Sequence, residues 1–99
     1  MTNTQHTKES ILEEAVRVTS GDRRRDYDHP EPNHKRIATM WNAYLSIRKD
    51  PLAEISPYDA AMLMVLLKIA RDVYTSKRDN FVDAAGYIRC AAIIAGYEE

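Results

Sequence analysis

The stretch Ser56-Pro57-Tyr58-Asp59-Ala60-Ala61-Met62-Leu63-Met64-Val65-Leu66-Leu67-Lys68-Ile69-Ala70-Arg71-Asp72-Val73-Tyr74 decides the fold. Its first four residues read as a helix start: a hydroxyl N-cap, proline at the first helical position and a carboxylate in the first turn. From Ala60 to Leu67 no face carries a polar residue. A helix that is apolar all round is covered by other helices, so this one is expected at the middle of the fold. Polarity returns only at Lys68, Arg71 and Asp72. The segment falls short of the roughly 20 apolar residues needed to span a bilayer, and no membrane partner is expected.

Amphipathic segments flank it. Upstream, Ser10-Ile11-Leu12-Glu13 has the form of a capping box. Ile11, Leu12, Ala15 and Val16 follow as one apolar stripe, and Gly21 supplies a left-handed stop after about Ser20. Asp22 to Pro32 contains Pro30 and Pro32 and no apolar period, so it reads as a long loop. A second helix is expected from about Asn33 to Lys49, with Trp41 facing the core. Downstream, Thr75 to Arg78 is a polar turn, and a last helix is expected from Asp79 or Asn80 to about Gly96. Met1 to about Thr7 is a polar, disordered tail. The chain is therefore one all-α domain, a four-helix bundle with a long loop between helices 1 and 2.

Composition narrows the function. The 14 Lys plus Arg against 15 Asp plus Glu leave a net charge of -1, which excludes the strongly basic domain of a sequence-independent duplex nucleic-acid binder. One cysteine, Cys90, rules out an internal disulfide and suits a reducing compartment. With no signal-type start, the cytoplasm of a bacterial host is the expected location. A small buried position is expected for Cys90. In 99 residues, ordering entropy of roughly 1–2 kcal/mol per residue nearly cancels burial at about 25 cal/mol per Å². A homodimer or higher assembly that completes the core is therefore expected.

Three constellations could carry chemistry. Asp79, Asp83 and Tyr87 recur at i, i+4 and i+8 beside Asn80. Two carboxylates one turn apart can hold Mg²⁺ against phosphate oxygens; structurally, Asp79 would cap the helix and Asp83 would pair with a base on the central helix. Lys68 and Arg71 leave the apolar helix together, and either snorkels to solvent, pairs with Asp72 or Asp83, or grips a phosphate. Arg23, Arg24 and Arg25, then Tyr27 and His29, gather phosphate donors, a stacking ring and an imidazole within seven positions; a solvated charge run is the ordinary reading of such a cluster.

Gly21-Asp22-Arg23 through Asp26-Tyr27 and Pro30, then Asn33, Arg36-Ile37, Trp41, Leu66 to Arg71, Asp79-Asn80 and Asp83 to Tyr87 resemble a family of short, uncharacterised phage and prophage helical proteins. Its members commonly carry glycine where Asp28 stands. More distantly, the layout is similar to the all-α MazG-type nucleoside triphosphate pyrophosphohydrolases. Those are dimers that hold Mg²⁺ with Glu-x-x-Glu on one helix and Glu-x-x-Asp on the next. Here Asn80-Phe81-Val82-Asp83 fills the second place, with Asp79 adjacent, and Lys68-Ile69-Ala70-Arg71 stands where two glutamates belong. Two cations in place of two carboxylates suit direct contact with phosphate better than activation of water through a metal.

The leading expectation is thus a phage-type protein that binds, and by binding sequesters, a nucleotide or another phosphorylated small molecule without a cofactor. Arg23, Arg24, Arg25, Lys68 and Arg71 would meet phosphate; Tyr27 or Tyr87 would stack on a base; His29, Asn33, Asp79, Asn80 and Asp83 would complete the site. One alternative is a Mg²⁺-dependent pyrophosphohydrolase, with Asp79 and Asp83 on the metal and Asp59 or Asp72 assisting. The other is an interaction module aimed at a host or phage protein.

Overall fold

The computed structural model describes residues 8–21, 25 and 28–99 of the chain. Among them lie four helices and no strand: α1 (Ile11–Val18), α2 (Pro30–Ile47), α3 (Pro57–Tyr74) and α4 (Arg78–Ala95). The all-α expectation holds, and the opening tail and part of the loop after α1 lie outside the described residues.

The starts of α1 and α3 follow their sequence signals. Ser10 accepts from the Glu13 amide at 3.0 Å while Glu13 takes the Ser10 amide at 2.7 Å. Ser56 and Asp59 repeat the exchange at 3.1 and 3.0 Å, which satisfies amides that have no partner inside the helix. Gly96, with φ 90°, ends α4, and Gly21 has φ 57°.

Helix α2 starts three residues earlier than its two prolines suggest. Pro30 occupies the first helical position and Pro32 still lies in the first turn, where a missing N–H costs nothing. His29 is the N-cap, its Nδ1 accepting from the Glu31 amide at 3.3 Å. Asp28 precedes it with φ 72°, a left-handed conformation that aspartate tolerates better than most residues. Its carboxylate compensates by accepting the His29 amide at 2.7 Å and facing Arg36 at 3.2 Å. A side chain that bonds locally thus holds a conformation that glycine adopts without steric cost.

Helix α3 packs against α2 and α4, as its apolar composition predicts. Ile37, Ala61, Leu63, Val65, Ala70 and Ala91 form the buried apolar core. Trp41 caps it, donating Nε1–H to the Leu63 carbonyl at 2.7 Å. Phe81, Val82, Ile88 and Ile94 of α4 are exposed, and its buried positions are Asn80 and Ala91. Small residues let α4 approach α3. One sequence expectation needs correction: Cys90 is exposed, because among the described residues α3 is the one helix that packs closely against α4. Helix α1 buries no residue.

Candidate functional site

The buried helix releases its polar end against the start of α4, as the residue spacing suggests. Lys68 Nζ lies 3.1 Å from Asp83 Oδ2, with the lysine side chain 15% and the carboxylate 48% exposed. One turn on, Asp72 Oδ1 accepts Asn80 Nδ2–H at 3.1 Å and the Lys77 amide at 2.9 Å. These bonds, that from Asn80 foremost, hold the Asp72 carboxyl below its ordinary range. They also fix the turn between α3 and α4, so Lys77 needs no side-chain cap at the head of α4.

Beside this pair lies an open cleft of about 190 Å³, lined by Lys68, Asp72 and Asn80 and floored by Ile69, Val73, Phe81 and Ala84. Phe81 is 63% exposed, so an apolar side chain stands in the same lining as a cation, the Asp72 carboxylate and a buried amide. Phe81 carries no signal in sequence beyond its helical spacing; only the pairing of α3 with α4 puts it at the cleft.

The remaining predicted residues distribute differently. Asp79 is exposed in the first turn of α4 and Tyr87 is half-buried. Arg71 is half-buried and engaged, but it stands outside the cleft lining. Arg25 is exposed and likewise engaged. His29 serves as the α2 cap. Arg23, Arg24 and Tyr27 lie outside the described residues. Asn33 is buried on α2, where its Oδ1 meets no donor among the described residues. One turn on, Arg36 is half-buried over the Tyr74 ring at 5.2 Å from its centroid and paired with Asp28. Sequence reasoning thus merged what the fold separates: an α3–α4 cleft and an α2 N-terminal cluster.

A third polar group surrounds Asp59, read in sequence as the first-turn carboxylate and as an assisting residue of the hydrolase alternative. Arg48, the C-cap of α2, binds Asp59 Oδ2 at 2.9 Å and the carbonyls of Pro51 and Ala53 at 3.0 and 2.9 Å. Tyr44 donates to Asp59 Oδ1 at 2.9 Å. The Ser56 amide first, then Tyr44 and Arg48, lower the Asp59 carboxyl to about 2. Burial first, then the bond to Asp59, push the Tyr44 hydroxyl up to about 12. A depression of about 570 Å³ overlies this corner, larger than the α3–α4 cleft. Every lone pair and N–H named here is spent on the α2–α3 connection, so the corner is structural despite its room.

Among the described residues no three or more His, Cys, Asp or Glu side chains gather as a metal-binding group. No helix of the described residues is long and apolar enough to cross a membrane.

A family model for a domain of unknown function, DUF6378, matches residues 10–95. The Gene 55 protein of Mycobacterium phage D29 is 48% identical over 92 residues, covering 92% of this chain and 56% of that protein. The Gene 55 protein of Mycobacterium phage L5 is 43% identical over 79 residues, covering 79% of this chain and 47% of its own. The chain thus spans about half the length of these curated relatives. No solved structure matches it. With the family model running through all four helices and both relatives coming from phages, the chain is a phage protein that belongs to the DUF6378 family.

Proposed function

We propose that the chain binds a nucleotide or a similar phosphorylated small molecule in the α3–α4 cleft. The supporting observation is that Lys68, held by Asp83 at 3.1 Å, and the exposed Phe81 line one opening. The lysine stem is packed and its ammonium held in place, whereas Asp83 is half-exposed and free to turn toward water. A phosphate arriving at the ammonium replaces one carboxylate with a more highly charged partner. Asp83 then accepts from a ribose hydroxyl or a base amine. The floor of Ile69, Val73 and Phe81 takes the flat face of a base, which stacks on an aromatic ring with favourable dispersion. At about 190 Å³ the cleft holds a base or a phosphate end, and the rest of the ligand lies along the open side.

The magnesium-dependent hydrolase alternative lacks comparable support. Asp83 faces a cation, and the described residues offer no third carboxylate beside it and Asp79. The interaction-module alternative draws on a separate observation, apolar side chains left exposed on α1 and α3.

Isothermal titration against mono-, di-, tri- and cyclic nucleotides tests the binding site. At 100 times its dissociation constant a bound nucleotide stabilises the fold by about 2.7 kcal/mol, and Lys68→Met abolishes both the heat and the stabilisation. A folded sample that gives no heat with any nucleotide or with inorganic phosphate overturns the reading.

A further inference from the structure

Helix α1 has one apolar stripe, and among the described residues no other helix packs closely against it. Ile11, Leu12 and Val16 are 87%, 77% and 67% exposed. Eight residues are too few for a helix to persist in water by local bonds, even with a capping box, because isolated helices shorter than about 12 residues are marginal. Such a stripe is stable when it is buried against something.

The same chain offers a vacant counterpart. Between α2 and α3 runs a groove of about 390 Å³, with Pro32, Met40, Ala70 and Val73 as its apolar wall and Lys35 and Arg36 on its rim. Val73 is 69% exposed there. The charges left over are complementary: Arg36 is held by Asp28 and Glu13 by the Ser10 cap, but Lys35 is exposed on the groove rim, and Glu14 of α1 stays 59% exposed beside Arg17, which pairs more closely with Glu9 at 3.1 Å. The groove is larger than the α3–α4 cleft and shares Val73 with it, whereas Lys68 and Phe81 lie outside the groove, so filling it covers one edge of the cleft floor and leaves those two side chains uncovered.

We propose that the α2–α3 groove receives helix α1 of a second copy, so that two copies exchange their N-terminal helices. The contact is isologous: each copy gives one stripe and one groove, and a two-fold axis closes both at once. One such exchange covers Ile11, Leu12, Val16 and Val73 twice over. A foreign partner helix would leave the chain's own α1 uncovered, which is why the second copy is the occupant that the surface favours.

Equilibrium sedimentation of the full chain at about 10 μM is expected to give a dimer. The double substitution Leu12→Glu and Val16→Glu, at positions exposed within the protomer, is expected to weaken the dimer by at least a hundredfold while the helical content of α2 to α4 persists. In a Cys90→Ser background, a Val16→Cys copy mixed with a Met40→Cys copy is expected to yield a disulfide-linked heterodimer under oxidation. A monomeric wild type, a dimer indifferent to the α1 charges, or a Val16–Met40 disulfide formed within single chains carrying both cysteines each overturns the exchange. Nucleotide titration of the dissociated variant keeps its heat if the cleft works alone, so the two proposals fail separately.

Discussion

Two polar corners flank the same buried helix, and they are wired in opposite ways. At the head of α3, Asp59 receives Arg48, Tyr44 and the Ser56 amide, and Arg48 goes on to grip the α2–α3 connection. Near its tail, Lys68 and Asp83 hold each other through a single contact, and Asp83 keeps half of its surface in water. Both corners contain a cation, a carboxylate and an aromatic side chain. The first is saturated by its own chain; the second retains unspent capacity and an apolar floor beside it. Residue type therefore does not mark a ligand site. What marks one is how many of the available hydrogen bonds the fold has already used.

This contrast can be broken most forcefully at Arg48. Arg48→Ala leaves a nine-tenths buried carboxylate without its cation and unties the connecting loop. Removing one partner of such a pair is strongly destabilising, and in a domain of this size it lowers the melting temperature by roughly 15 °C. Circular dichroism melting checks this; a loss of under a few degrees would make the head corner as dispensable as the tail.

Acid gives the next effect. The Asp59 carboxyl is lowered to about 2 when folded, against an ordinary value of 3.8, so the unfolded chain binds its proton first. The stability it contributes is complete above about pH 5 and is lost as pH falls toward 2. Asp59→Asn removes that dependence and lowers stability at neutral pH, read as a flatter plot of melting temperature against pH between about 2 and 5. Since Asp72 is lowered too, a residual slope persists in the variant.

The smallest effect on stability is expected at the tail corner. Lys68→Met keeps the packed stem and discards a contact with a half-exposed carboxylate, which is worth about 0–1 kcal/mol. Its melting temperature should stay within roughly 5 °C of the parent while nucleotide binding disappears. A large loss of stability would instead place Lys68 among the structural cations, beside Arg48.

Local signals were legible in the chain wherever a few neighbouring residues suffice. The capping serines, the apolar core of α3 and the left-handed Gly21 all follow from short-range spacing. The start of α2 was misjudged because proline is a breaker inside a helix and a favoured residue at its first position. Which of the two applies depends on whether His29 and Asp28 cap the turn. The buried face of α4 is not legible in the sequence for a different reason. Periodicity identifies apolar positions but not which of them meets a neighbour, and here the close approach to α3 selects Asn80 and Ala91 over Phe81 and Ile88.

The amino-acid sequence by itself determined the helical class, the central place of α3 and the charge types available at its two ends, because propensity, capping and hydrophobic run length act within a few residues of one another. Only the tertiary structure decided which charges spend themselves on the fold. Arg48 sits 11 residues from Asp59, and Lys68 sits 15 from Asp83. Whether such a pair is enclosed or left at the edge of a cleft depends on how the helices pack, which no local spacing encodes.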